Sequence, residues 1–143
     1  MSKSNVTEND FVKFVAIATA MPSYGSNLYM HLHTADPGEA GTSSTNEAAY
    51  TSYAAVAVSR DAAGWTICDP DGTPNPDGSA FKNAAEITFP ECTGVADDED
   101  ITHASLTTIG GQILYSGALT AQIKVTNLIT PRFPAGTVMF KED

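Results

Sequence analysis

The sequence has few cysteines, few basic residues and no long apolar run, and each shortage excludes a class of protein. Two cysteines, Cys68 and Cys92, are too few for a disulfide scaffold, and they lack the CxxC spacing of a zinc knuckle. Two free thiols are the simpler interpretation, and a single disulfide between neighbouring strands stays open. The 7 basic residues against 17 acidic ones give a net charge of −10. Nucleic-acid binding is therefore not expected, because phosphate contacts rely on clustered lysine and arginine.

No apolar run approaches the roughly 20 residues that a membrane span needs. The longest, over residues 14–21, is short, and it lacks the basic start and cleavage site of a signal peptide. We therefore expect no membrane partner and synthesis in a cytoplasm. A length of 143 residues fits one domain that can bury a core without metals or disulfides.

Motifs for common catalytic chemistry are also missing, since no Gly-x-Ser-x-Gly elbow and no phosphate-binding loop occur. The sharpest metal candidate is His31-x-His33, because a period of two places both imidazoles on one face of a strand. Together with Gly25 this pair resembles the metal-binding start of cupins. The glutamate that cupins place three or four residues later is replaced by Pro37 and Gly38. We predict no enzyme, cofactor or metal, and keep a cupin-like metalloenzyme as the alternative to exclude.

A second metal candidate is the loop over residues 69–78. Asp69, Asp71 and Asp77 alternate as in a calcium loop, but the glycine and the final glutamate of the EF-hand pattern are missing. An irregular calcium site stays open here, and a proline-stiffened surface loop is the simpler interpretation. The acidic run at 97–100 is predicted to be a solvated loop, which could add oxygen ligands.

The N-terminal part carries a helix signal. Thr7 can cap a helix, with acidic residues in the first turn that follows. Apolar residues then recur at the spacing of one helical face: Phe11, Phe14, Val15 and Ala18. The pattern predicts a helix over residues 7–20, preceded by a flexible arm over residues 1–6.

From residue 27 onward, short segments of strand-like composition alternate with turns rich in proline and glycine. The predicted strands are 27–33, 53–60, 65–68, 85–89, 101–107, 112–116, 122–125 and 137–140. Their number and spacing predict an all-β fold: an antiparallel β-sandwich or jelly-roll of about seven to eight strands over residues 27–143. We see no internal repeat and no domain boundary, so residues 1–143 are predicted to form a single domain.

The strand and turn at 28–41, LYMHLHTADPGEAG, resemble a family of small virion proteins of tailed bacteriophages. Further landmarks of that family follow in the same order. They are Ser-Tyr-Ala at 52–54, Ile-Thr-Phe-Pro at 87–90, Thr-Gly at 93–94, Ile-Thr-His at 101–103, Leu-Tyr-Ser-Gly-Ala-Leu-Thr at 114–120 and Phe-Pro-Ala-Gly at 133–136. The resemblance implies a non-enzymatic structural part of the particle, either head-associated or tail-fibre-like.

Our preferred interpretation is a capsid decoration or cement protein, a homotrimer that clamps the major capsid protein at the capsid surface after synthesis in the host bacterial cytoplasm. The alternative is a tail or tail-fibre-associated subunit with a receptor- or glycan-facing loop. The polar loops at 39–53 and 69–78 are expected to lie across a partner. The residues expected at such a contact are Tyr29, His31, His33, Asp36, Pro37, Glu39, Tyr50 and Tyr53.

Overall fold

The computed structural model describes residues 1–142, which form antiparallel sheets and a single short helix near the N-terminus, as predicted for an all-β protein. The helix is α1 (Asn5–Ile17). The strands are β1 (Ser2–Lys3), β2 (Asn27–His33), β3 (Val56–Ser59), β4 (Trp65–Cys68), β5 (Ala80–Asn83), β6 (Ile87–Thr88), β7 (Asp98–Thr107), β8 (Ile113–Thr126), β9 (Arg132–Phe133) and β10 (Met139–Lys141).

The strands are arranged in one large and one small sheet with an additional strand pair. The large sheet has the order β1-β8-β7-β2-β3, the small sheet has the order β10-β5-β4, and β6 pairs with β9. The longest ladder joins β7 to β8, from the pair Asp98 and Thr126 to the pair Thr107 and Ile113, with two register shifts along it. These long central strands form the frame on which the shorter elements pack.

The two sheets pack face to face through their apolar sides. On β2, Leu28, Met30 and Leu32 alternate with polar neighbours and are all buried, as the period of two predicts. Across the interface, Tyr115 of β8 meets Phe81 of β5 and Phe140 of β10, with ring centroids 5.4 Å apart in each pair. The sandwich therefore has one continuous core shared by both sheets.

A buried amide ties the C-terminal segment to the small sheet. Asn83 is 1% exposed. Its Nδ2 donates to the carbonyls of Ala85 and Pro134 at 2.8 and 2.9 Å, and its Oδ1 accepts from the backbone N–H of Val138 at 2.9 Å. One side chain thus satisfies three backbone groups that would otherwise be buried without partners.

Several element boundaries differ from those predicted. Strand β1 lies within the segment predicted to be a flexible arm, where it pairs with Tyr115 and Ser116 of β8. The helix begins at Asn5 because Ser4, rather than Thr7, is its N-cap: the Ser4 Oγ accepts from the Thr7 N–H at 3.3 Å. It ends at Ile17 because Ala18 adopts the left-handed conformation, with φ of 55°.

The strands differ in a similar way. The predicted strands at 112–116 and 122–125 form one strand, β8, because Gly117 and Ala118 keep pairing with β7. Strands β1, β5 and β9 were not predicted. Cys68 and Cys92 are both free and buried, in agreement with the simpler interpretation of the thiols.

Candidate interaction surfaces

Helix α1 is anchored to the large sheet by its first turns and extends beyond the sheet. Ser4 is 1% exposed and Thr7 is 7% exposed, and the Ser4 Oγ donates to the carbonyl of Ile113 at the start of β8. From residue 11 to residue 20 every residue is exposed. The last two turns of α1 therefore extend beyond the sheet, with Phe11 still in contact with Lys3, whose Nζ lies 5.7 Å from the ring centroid.

The exposed part of α1 carries large apolar side chains on several sides of the helix. Among the described residues, six of the eleven large apolar side chains that are exposed lie in α1. They are Val6, Phe11, Val12, Phe14, Val15 and Ile17, with exposed fractions from 47% to 69%. A helix that is apolar on most of its circumference is typical of one that is enclosed by other protein.

The polar face of β2 holds two imidazoles in a hydrogen-bonded network. The Nδ1 of His31 lies 2.6 Å from Glu47 Oε1. The Nδ1 of His33 lies 2.8 Å from the carbonyl of Thr45, and its Nε2 lies 2.7 Å from the Ser105 hydroxyl. A carbonyl only accepts, so the Nδ1 of His33 carries the proton and Nε2 accepts from Ser105. The network holds the loop that contains Glu47 against the sheet.

Burial favours the neutral forms of His33, Tyr50 and Tyr53. The pKa of His33 is lowered mainly by burial, and the positive charges that His31 and His103 can carry lower it further. The pKa of Tyr53 is raised by burial, and burial raises the pKa of Tyr50 to about 12. Within residues 1–142 no group of three or more His, Cys, Asp or Glu side chains could hold a metal ion. His31 and His33 thus serve as hydrogen-bonding groups in a folded network.

The structure separates the eight residues predicted to make contacts into three groups. Asp36 and Glu39 are exposed, and Tyr29, His31 and Tyr53 are half-buried. His33, Pro37 and Tyr50 are buried within the chain, which corrects their placement on an open surface. The Tyr50 hydroxyl, for example, donates to the carbonyl of Pro90 at 3.0 Å. Contact with a partner stays a prediction for the exposed and half-buried residues.

The turn after β2 forms as its sequence predicts. The Asp36 Oδ1 accepts from the backbone N–H of Gly38 at 2.8 Å, and Gly38 adopts a φ of +72°, which glycine tolerates without strain. The carbonyl of Asp36 accepts from the Asn46 side chain at 2.9 Å. The turn in LHTADPG, residues 32–38, therefore stabilises the chain's own loop.

The loop at 39–53 is held on β2 by backbone hydrogen bonds, and its contact with a partner stays a prediction. The backbone N–H of Ala48 donates to the carbonyl of Leu32 at 2.8 Å, and Ala48 is 4% exposed. The backbone of Glu47 pairs with that of His33 in a single antiparallel β-bridge. The loop is polar in composition, yet it packs on β2 because its backbone groups continue the hydrogen bonding of that strand.

The acidic run at 97–100 is also not the solvated loop that was predicted. Glu99 accepts from the backbone N–H groups of Ala49 and Tyr50 at 3.0 and 3.2 Å. Asp97 accepts from the N–H of Thr51 at 2.5 Å, and this hydrogen bond lowers the pKa of the Asp97 carboxyl. These carboxylates satisfy backbone donors of the neighbouring loop, where β7 begins.

The aspartates of the predicted calcium loop are used in local turns. The Asp69 Oδ1 accepts from the Asn75 side chain at 2.9 Å, and the Asp71 Oδ1 accepts from the N–H of Thr73 at 2.8 Å. Asp77 is exposed. Calcium binding by this loop stays a prediction.

Two informative features were not predicted from the sequence: α1 as an exposed surface, and Glu47 as the partner of His31. The signal for α1 was present, because Val12 and Ile17 lie off the single apolar face formed by Phe11, Phe14 and Val15. Glu47 has no local signal, since it lies 16 positions after His31.

Comparison of the sequence with known families shows which family the chain belongs to. The model of one family, described as podophage GP4 fiber I protein gp80, matches residues 2–141. No curated protein matches the chain. Among residues 1–142 no helix qualifies as a membrane span. The match covers nearly the whole sequence, from β1 to β10, and so the chain belongs to the podophage GP4 fiber I protein family and is a bacteriophage structural protein.

Proposed function

We propose that the protein is a fibre-type structural subunit of the phage particle and not an enzyme. The observation that carries this proposal is the family match over residues 2–141, whose description names a fibre protein. That description favours the tail-fibre alternative over capsid decoration, the interpretation preferred from the sequence.

The polar groups of the sandwich support a structural role. His31 and His33, the candidate metal ligands, are engaged with Glu47, Thr45 and Ser105. These hydrogen bonds join β2, the loop that follows it and β7 into one unit. Their effect is to hold the loop at 39–53 in place against β2.

The distribution of apolar surface also supports a subunit that works through protein contacts. The sandwich buries its own core, whereas α1 leaves Phe11, Phe14 and Val15 half exposed or more. Exposed apolar patches on soluble proteins mark interaction sites. A fibre subunit needs such a surface, because it must bind either its own copies or the proteins at its base.

The copy number and position of the chain in purified particles test the proposal. Antibody labelling observed by electron microscopy, together with quantitative mass spectrometry against the major capsid protein, should place a few to a few dozen copies on fibres at the tail. Labelling of the same particles for the major capsid protein is the control. Hundreds of copies spread evenly over the head would contradict the proposal and favour a decoration protein.

A further inference from the structure

We propose that a cleft at the junction of the two sheets binds a small amphipathic carboxylate, a molecule with a compact apolar body and a single carboxylate. The cleft lies where β2 meets β4 and β5, and it encloses about 390 Å³. Small-ligand sites in proteins measure roughly 300–1,000 Å³ and are mostly apolar, with a few polar groups that orient the ligand. The walls and the rim of this cleft are formed by Leu28, Trp65, Ile67, Phe81, Arg60 and Asp61.

The apolar wall contains an inner-face residue that the chain itself leaves open. Ile67 of β4 lies opposite Phe81 of β5 in register, so the two side chains share one face of the small sheet. Phe81 packs into the core on that face, with its ring centroid 5.4 Å from that of Tyr115. Ile67 is 46% exposed on the same face, and β4 is the edge strand of the small sheet. The core therefore ends in an open apolar wall at this edge.

The backbone around the cleft offers few groups with which an extended peptide could pair. Strand β2 lies between β3 and β7, and β5 lies between β10 and β4, so the edges of both strands are occupied. On the outer edge of β4, the carbonyl of Ile67 accepts from the Asn75 N–H at 3.2 Å. A peptide that binds as an added strand needs free backbone groups. A compact ligand held by its apolar body fits this cleft better.

The rim of the cleft carries a guanidinium with donors left for a ligand. The Arg60 Nη1 donates to the carbonyl of Gly25 at 3.1 Å, and the Arg60 Cζ lies 5.5 Å from the ring centroid of Tyr24. None of the ion pairs within residues 1–142 includes Arg60. A guanidinium has five N–H donors in a planar fork that matches a carboxylate. Arg60 can therefore accept a carboxylate as its partner.

The neighbouring carboxylate is already occupied by its own turn. The Asp61 Oδ1 accepts from the Ser59 hydroxyl at 2.9 Å, and from the N–H groups of Ala63 and Gly64 at 2.9 and 3.2 Å. Charges more than about 8 Å away are largely screened at physiological salt, so the rim matters more than the net charge. An anionic head group pairs with Arg60, whereas an ammonium group would be repelled by it.

Trp65 makes the proposal testable on the full chain, because it lines the cleft and is the one tryptophan in the sequence. Octanoate is the probe, since it has an apolar chain and one carboxylate. We expect a saturable shift of the Trp65 indole N–H resonance in proton–nitrogen correlation spectra, with a dissociation constant of about 1 mM or lower for a ligand of this size. The absence of a saturable shift up to about 10 mM octanoate would overturn the proposal.

Two ligands with the same chain length separate the effect of charge from that of apolar contact. Octanol lacks the charge, and octylammonium reverses it. Octanoate should bind about 3- to 5-fold more tightly than octanol, which is the effect expected of an exposed ion pair. Octylammonium should bind most weakly. If octanol or octylammonium bound as tightly as octanoate, the proposal of an anionic ligand would be wrong.

Substitution of the guanidinium tests its role as the partner of the carboxylate. Arg60→Gln should lower the affinity for octanoate about 3- to 5-fold and leave the affinity for octanol unchanged. Arg132 is an exposed arginine on β9, outside the cleft, so Arg132→Gln is the matched control. An equal loss of affinity in both variants would overturn the proposal, because it would mean general attraction of anions.

Substitution of the open wall tests the apolar contact. Ile67→Ser should lower the affinities for octanoate and octanol alike, by about 5- to 10-fold. Ile129 is 38% exposed and lies outside the cleft, so Ile129→Ser should bind both ligands as the wild-type protein does. Phe14→Ser, on α1, should also leave the Trp65 shift unchanged. Unaltered binding by Ile67→Ser, or equal weakening by Phe14→Ser, would overturn the proposal.

The variants should keep the fold, because the side chains of Arg60 and Ile67 are exposed. Circular dichroism of each variant verifies this before ligand is added. The cleft belongs to the folded chain, so octanoate binding and the position of the chain in the particle are measured separately. A chain found on the head would contradict the proposed function and leave the result for the cleft as it stands.

Discussion

Helix α1 and strand β2 are both rich in apolar side chains, but these side chains meet opposite environments. On β2, Met30 and Leu32 are 0% exposed. On α1, Phe14 and Ile17 are 51% and 69% exposed. The comparison teaches that periodicity identifies an element and its apolar side, whereas it does not show whether the covering surface belongs to the same chain.

In the two loops that follow these elements, polar composition likewise does not show which loop is packed against the chain. The segment from Ala18 to β2 is short and largely exposed, although it follows an apolar helix. The loop at 39–53 is rich in polar residues, yet it buries Ala48 and Tyr50. The polar loop packs because its backbone pairs with β2 and with the Glu99 carboxylate.

The largest effect should come from removing a ring in the core. Phe140 is 0% exposed and contacts the rings of Trp65, Phe81 and Tyr115. We expect Phe140→Ala to lower the free energy of unfolding by about 3–5 kcal/mol, because it leaves a cavity in the sandwich. Urea unfolding followed by tryptophan fluorescence measures the change. A loss below about 1 kcal/mol would contradict the placement of this ring at the centre of the core.

A smaller loss should follow from removal of the buried amide that binds the C-terminal segment. Asn83→Leu is expected to lower the free energy of unfolding by about 2–4 kcal/mol, because the carbonyl of Pro134 and the N–H of Val138 lose their partner. The exposed Asn127 provides the control, since Asn127→Leu should change the free energy of unfolding little. Equal effects of the two substitutions would show that burial of Asn83 does not matter.

Acidification should weaken the polar side of β2. The folded-state pKa of His33 is below its unfolded value near 6.5, so the unfolded chain binds this proton first. The free energy of unfolding should therefore fall as the pH drops below about 6.5 toward the folded-state pKa. Urea unfolding between pH 7.5 and pH 5 measures the slope. His33→Gln cannot titrate, and it should flatten the part of the slope that His33 contributes; an unchanged slope would contradict the prediction.

The smallest effect on unfolding should come from α1. Phe14→Ala deletes the same atoms as Phe140→Ala, but Phe14 is half exposed and packs little within the chain. We expect a change of less than about 0.5 kcal/mol when unfolding is measured at concentrations at which the chain is monomeric. A loss close to that of Phe140→Ala would show that α1 packs on its own sandwich in solution.

Sequence patterns predicted those parts of the fold whose signals are local. Strand β4 was predicted at its observed bounds, and β2 and the Asp36–Gly38 turn were recognised from alternation and turn chemistry. Strand β5 was missed because Ala80–Asn83 includes two polar residues and follows a proline-rich loop. Residues 80–83 form a strand because they pair with β4 and β10, and their own composition does not indicate that pairing.

At the candidate site, too, the local placement of residues was predicted and their distant partners were not. The sequence placed His31 and His33 on one face of a strand, and that placement is observed. It gave no means to predict that Ser105 and Glu47 would reach them, because these residues are 72 and 16 positions away from their partners. The acidic run was misjudged for the same reason, since its backbone partners lie in the loop at 49–51.

The sequence by itself determined the all-β class, the presence of an N-terminal helix and the absence of a local catalytic motif, because each depends on neighbouring residues along the chain. Only the tertiary structure decided which apolar and polar side chains are covered, since burial depends on elements that are distant in sequence. It enclosed His33 and Tyr50 and left α1 outside. The backbone groups of a strand are satisfied by hydrogen bonds to whichever segment the fold brings beside it. Apolar side chains of α1 are buried only if another element packs on them, and in this chain they stay about half exposed or more.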